Sequence, residues 1–147
     1  MATGIRRKAA AVAATTALFV GGGVVAATEA SAGYMCNPGY HCVYWGNLGD
    51  SAAHDFYNSD RDFTNDTFDK NPGTGGYGRN VNDALWSASN SSTGGYESHY
   101  YRDINYQGGL LFCINPGSEV FGSQLADWQR NAASSLELRP STTIHCF

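Results

Sequence analysis

Four cysteines and four histidines carry most of the chemistry this chain could do. His41, His54, His99 and His145 are scattered. None stands in an H-E-x-x-H pair or beside a G-x-S-x-G serine, the spacings that build a zinc protease or a serine hydrolase. Asp55, Asp60, Asp62, Asp66 and Asp69 could supply a pair of carboxylates for acid–base work. They fall in a polar, loop-like stretch, where solvated charge is the commoner arrangement. Zinc held by histidines has no spacing behind it, and no C-x2-C pair is present. The chain therefore reads as a non-enzyme without a resident cofactor.

The cysteines point elsewhere. Cys36, Cys42, Cys113 and Cys146 all follow an N-terminal stretch with the three parts of a secretory signal. Arg6, Arg7 and Lys8 form its charged start, residues 9–27 its uncharged Ala- and Val-rich middle, and Ala30-Ser31-Ala32 its small-residue end. An uncharged run of this length could also span a bilayer, but Thr15, Thr16 and Gly21 to Gly23 dilute it. Residues 1–32 are thus expected to be a signal peptide and the protein to be secreted. An even number of cysteines in an exported domain implies two disulfides. Three pairings are possible. The favoured one joins Cys36 to Cys42 across a tight loop and Cys113 to Cys146, tying down the C-terminus.

Cleavage after Ala32 leaves Gly33 to Phe147, 115 residues, the size of one domain with a modest core. The whole chain has 9 basic and 13 acidic residues, a net charge of −4. Without Arg6, Arg7, Lys8 and Glu29 the counts are 6 and 12, a net charge of −6. So acidic a domain suits neither a phosphate backbone nor an anionic membrane. The acidity is compatible with divalent cations or a basic partner, and solubility alone would explain it equally well; the domain is expected to be a monomer.

These residues must be positioned by short strands. Gly, Asn, Ser, Asp and Pro punctuate the chain, and the runs between them are rich in Tyr, Phe, Val and Trp. Strands are expected over 41–45, 53–57, 85–89, 97–102, 110–114 and 134–139. Leu136 and Leu138 alternate with Glu137 and Arg139, as in a half-buried strand, whereas 110–114 is apolar throughout. The run Asn71-Pro72-Gly73-Thr74-Gly75-Gly76-Tyr77-Gly78 reads as a flexible loop. Aromatic residues from Tyr34 to Tyr106 are numerous, and exposed ones on a β surface can bind carbohydrate or protein.

The chain also carries a weak internal duplication. Val43-Tyr44-Trp45-Gly46 followed by Asn82-Asp83-Ala84-Leu85-Trp86-Ser87 has a counterpart in Tyr100-Tyr101-Arg102-Asp103 followed by Arg130-Asn131-Ala132-Ala133-Ser134-Ser135. Tyr44 and Tyr101 are 57 residues apart, Asn82 and Arg130 only 48, so the first half holds extra residues. Half-repeats of about 36–92 and 93–147 would pack two one-sided sheets face to face.

A strand ending in an aromatic, a Gly-containing turn and an Asn/Asp-x-x-Ser-Ser-like hexapeptide resemble the βγ-crystallin Greek-key motif. Together with the actinobacterial-style signal and the early Cys-x5-Cys, they resemble the secreted peptidase inhibitors of family I36. The resemblance spans about Cys36 to Arg139. It implies an all-β, βγ-crystallin-like sandwich of two Greek-key motifs that inhibits thermolysin-like metalloproteases. It further implies an inhibitory loop anchored by a cysteine in the second half, here Cys113, Ile114, Asn115 and Pro116. Thermolysin-like enzymes favour a bulky apolar residue just after the cut, which Ile114 would supply.

The same motif implies a calcium site, and its oxygen-rich pattern suits a hard cation. Asn82, Asp83 and Ser87 keep part of that pattern in the first half, and Asn131, Ser134 and Ser135 in the second. Trp86 replaces a hydroxyl ligand and Arg130 an oxygen ligand, so calcium binding is expected to be weak or absent. Two other functions stay open: a calcium- or surface-binding βγ-crystallin-like domain without inhibitory activity, and a secreted toxin or antimicrobial.

Overall fold

The structure, a computed structural model, describes residues 35–147, so the expected export segment lies outside the described residues. Seven strands form two antiparallel sheets. They are β1 (His41–Tyr44), β2 (Ala53–Phe56), β3 (Ser87–Asn90), β4 (Tyr96–Asp103), β5 (Gln107–Ile114), β6 (Glu119–Val120) and β7 (Ser135–Pro140). One sheet has the order β2-β1-β3-β6 and the other β5-β4-β7. All six expected strands are present, within a few residues at their ends. The two-residue strand β6 is too short to leave a period in the sequence.

The duplication extends to the register. Tyr44 pairs with Ala53 and Ser87 in the first sheet, as Tyr101 pairs with Leu110 and Ser135 in the second. Each sheet also borrows from the other half of the chain. Val120 of β6 pairs with Ala88 in the first sheet, and Asp60 exchanges two 2.8 Å backbone hydrogen bonds with Leu136 in the second. The sheets therefore interlock through one exchanged segment each.

Short runs of mixed composition become strands because sharp turns bound them. Asn37-Pro38-Gly39-Tyr40 precedes β1, with the Tyr40 N–H donating to the Asn37 carbonyl at 3.1 Å. Asn115-Pro116-Gly117-Ser118 repeats that turn between β5 and β6, closed by a 3.1 Å bond. Proline sets the first corner of each, and the second corner needs the positive φ of Gly39 (92°) and Gly117 (78°). The 71–78 segment forms no regular element, as expected, but it is not loose. Asn71 donates to the carbonyls of Gly49 and Ser51, and Gly75 and Gly76 lie flat against Trp45, leaving no room for a β-carbon at Gly76.

The inward faces of the two sheets form one core, with Val43, Phe56, Leu85, Tyr100, Phe112, Ile114 and Leu136 among its buried side chains. Phe56 stacks on Phe63 at 4.9 Å between ring centroids and Tyr100 on Phe112 at 4.8 Å. Burying each such side chain contributes about 1.5–3 kcal/mol. The disulfides are Cys36–Cys42 and Cys113–Cys146. The first encloses the turn before β1; the second joins the buried end of β5 to the C-terminus.

Candidate functional site

The two hexapeptides of the duplication meet and bond to each other. The Asp83 N–H donates to the Ala133 carbonyl at 3.1 Å, and the Asn131 N–H to the Leu85 carbonyl at 2.8 Å. Asp83 and Asn131 both adopt left-handed backbone, with φ of 54° and 51°, a conformation that short polar side chains tolerate best. The hydroxyls that follow are committed to the fold. Ser87 Oγ donates to the Gly46 carbonyl and Ser135 Oγ to the Asp103 carbonyl, the second at 2.7 Å. Those two acceptors are 57 residues apart, so each serine closes the same corner in its own half.

Trp86 and Ser134 are likewise equivalent, their N–H groups donating at 2.9 Å to Tyr44 and Tyr101. The Trp86 ring lies over Gly122, leaving no room there for a β-carbon. Arg130 stacks on that ring, its guanidinium carbon 5.0 Å from the ring centroid, and pairs with Asp127. An open cavity of about 420 Å³ beside the crossing is lined by Trp45, Asp83, Trp86 and Asn131. Ser87 and Ser135 donate their hydroxyl protons to backbone carbonyls, and an indole and a guanidinium occupy two further positions of the pattern. Those two replacements leave a poorer set of donors for a hard cation, which takes six or more oxygens.

The expected inhibitory loop is only partly at the surface. Ile114 is fully buried in the core, and Cys113 is buried beside it. The Ile114 side chain would therefore have to leave the core to enter a protease. The reason is its place as the last residue of β5, paired with Ser98 of β4. Asn115 and Pro116 are exposed, but they form the tight turn before β6 rather than a substrate-like strand.

The partner of Cys113 leads to a different segment. Residues 141–147 leave β7 and return to the end of β5, where the Phe147 N–H donates to Cys113 at 3.0 Å and the Asn115 N–H to Phe147 at 2.8 Å. At the other end, Glu97 accepts from the Thr142 N–H at 2.9 Å and from its hydroxyl at 2.8 Å. Glu97 also accepts from His99 Nε2 at 2.7 Å. Burial alone would raise the Glu97 carboxyl, but the bonds from His99 and Thr142 outweigh it and hold the pKa at about 2. Between these anchors Thr143, Ile144 and His145 are exposed, Ile144 by 43%. Sequence reasoning missed this segment because Glu97 and Thr142 are 45 residues apart and no local pattern connects them.

The histidines remain apart. His41 bonds to Ser98, His54 to Asp69, and His99 to Glu97, while His145 is exposed. His99, Cys113 and Cys146 are a close group of metal-ligating types among the described residues, but the two sulfurs are bonded to each other.

Among solved structures, a chain from work on the evolution of the eye lens βγ-crystallin domain fold matches this one with a TM-score of 0.50 and 14% identity. The match covers 74% of this chain and 93% of that one. The N-terminal domain of protein S matches with a TM-score of 0.42 and 12% identity, over 71% and 99% of the two chains. The architecture is thus that of a βγ-crystallin-like sandwich with two disulfides. At such identity the likeness concerns the fold alone. No family model matches the chain, and no curated protein matches it.

Proposed function

We propose that the protein is a secreted inhibitor of an extracellular metalloprotease of the thermolysin type, acting through the segment from Thr142 to Cys146. The observation that carries this reading is the exposed Ile144 between two fixed points, the Glu97–Thr142 hydrogen bonds and the Cys113–Cys146 disulfide. A protease cleft pays little ordering entropy when it meets a segment already held in place. Ile144 would supply the bulky apolar residue that such an enzyme accepts just after the cut. The two disulfides fit an oxidising compartment, and no helix among the described residues is long and apolar enough to cross a membrane.

The test is a panel of metallo- and serine proteases assayed with the purified protein. A thermolysin-like member should be slowed at nanomolar to micromolar inhibitor, and Ile144→Asp should raise Ki by two orders of magnitude or more without lowering Tm. Unimpeded turnover across the panel would remove the inhibitor reading. Full inhibition by Ile144→Asp would remove the assignment of the segment.

A further inference from the structure

A second surface feature is separate in chemistry from the Ile144 segment. At the end of the sandwich where β1 begins and β2 and β3 finish, an open groove of about 380 Å³ bridges the two sheets. Tyr57, just after β2, forms one side and Tyr96, at the start of β4, another; they are 65% and 45% exposed. Asn58, Ser59 and Ser92 also line it, and His41 is its buried floor.

Two properties restrict what such a groove can hold. The first is the absence of charge. No Asp, Glu, Lys or Arg lines it, and burial lowers the pKa of its one histidine, His41, to about 4, which leaves that ring neutral. The second is the state of its hydroxyls. Ser59 Oγ accepts from the Leu138 N–H at 2.9 Å, and Ser92 Oγ accepts from the N–H groups of Gly94 and Tyr96 at 3.3 Å. Each hydroxyl thus has its oxygen engaged by the backbone and its proton left to donate. The Asn58 amide adds donors and an acceptor.

Aromatic faces beside oriented neutral hydrogen-bonding groups are complementary to sugar rings, which present C–H faces and equatorial hydroxyls. We infer that the groove between Tyr57 and Tyr96 binds a neutral oligosaccharide. The site would hold the protein at a glycan surface, and it does not depend on the inhibitor reading. A charged glycan would gain no ion pair there, and a peptide would find no deep apolar pocket for an anchoring side chain.

The experiment titrates the purified protein with two uncharged probes, tetramers of β-1,4-linked N-acetylglucosamine and of β-1,4-linked glucose. The resonances of Tyr57 and Tyr96 are followed by NMR up to about 10 mM sugar, where even millimolar affinity registers. At least one tetramer should shift them saturably, and the preferred one distinguishes an amino-sugar polymer from a plain glucan as the source. Tyr57→Ala and Tyr96→Ala should each weaken binding about tenfold or more, a loss of roughly 1.4 kcal/mol. Both positions are exposed, so Tm should hold. Ile144→Asp should bind sugar like the unaltered protein. No saturable shift with either tetramer, shifts that map away from the groove, or undiminished binding by both tyrosine variants would overturn the inference.

Discussion

The guanidinium of Arg130 stacks over the indole of Trp86, and each stands where the hexapeptide pattern asks for an oxygen ligand. The two departures from the pattern thus contact each other, one in each half of the duplication. A cation bound permanently to the chain lies over the first hexapeptide, and a cation–π contact is worth about 0.5–2 kcal/mol.

The first prediction concerns calcium. The unaltered protein should show no rise in Tm on adding micromolar calcium. The double variant Trp86→Thr with Arg130→Asn restores oxygen-bearing side chains at both positions and should regain a calcium-dependent rise of a few degrees, read by thermal melting. Arg130→Asn alone should lower Tm in calcium-free buffer, because the Trp86 face loses its partner. A calcium-dependent rise in the unaltered protein at micromolar ion would contradict the expectation.

A second prediction follows from Glu97. Its folded pKa, about 2, lies below the ordinary 4.5, so its carboxylate contributes stability that is complete above pH 4.5 and lost as pH falls toward 2. Glu97→Gln should cost about 1–3 kcal/mol at neutral pH, since the carboxylate accepts from His99 and twice from Thr142. The variant should also lose part of the acid dependence of Tm between pH 4.5 and 2. An equally steep acid dependence in the variant would show that other carboxylates account for it.

The third prediction separates anchor from core. Cys113→Ser with Cys146→Ser removes a crosslink between residues 33 apart in sequence, which should cost about 4 kcal/mol. On the proposed inhibitor reading, releasing one end of the exposed segment should raise Ki at least tenfold even at temperatures where circular dichroism shows the protein folded. Inhibition unchanged in the folded double variant would mean that the disulfide does not hold the inhibitory segment.

Much of the fold was legible because turns and apolar runs are local. The strands around Val43, Tyr100 and Leu136 lie between Gly, Pro and Asn clusters, and the favoured disulfide pairing is the one present. The exchange of β6 was not legible. Glu119–Val120 is two residues long, and its partner Ala88 is 32 positions away. Ile114 shows the corresponding limit at the site: beside Cys113 and before Pro116 it reads as a presented residue, yet pairing with Ser98 turns it into the core. Glu97 gives no sign in sequence, because a carboxylate becomes an anchor only when folding brings Thr142 to it.

The exchanged segments also bear on how the chain is made. Synthesis runs from the N-terminus, and β1, β2 and β3 are complete once Asn90 has emerged. Their sheet nevertheless keeps an unpaired edge along β3 until Val120 arrives, and an exposed edge is a template for pairing with other chains. The second sheet must in turn wait for Leu136 to find Asp60, a contact spanning more than half the described residues. Neither half can therefore finish alone on the ribosome, and the nascent protein should stay vulnerable until Leu136 is free to pair.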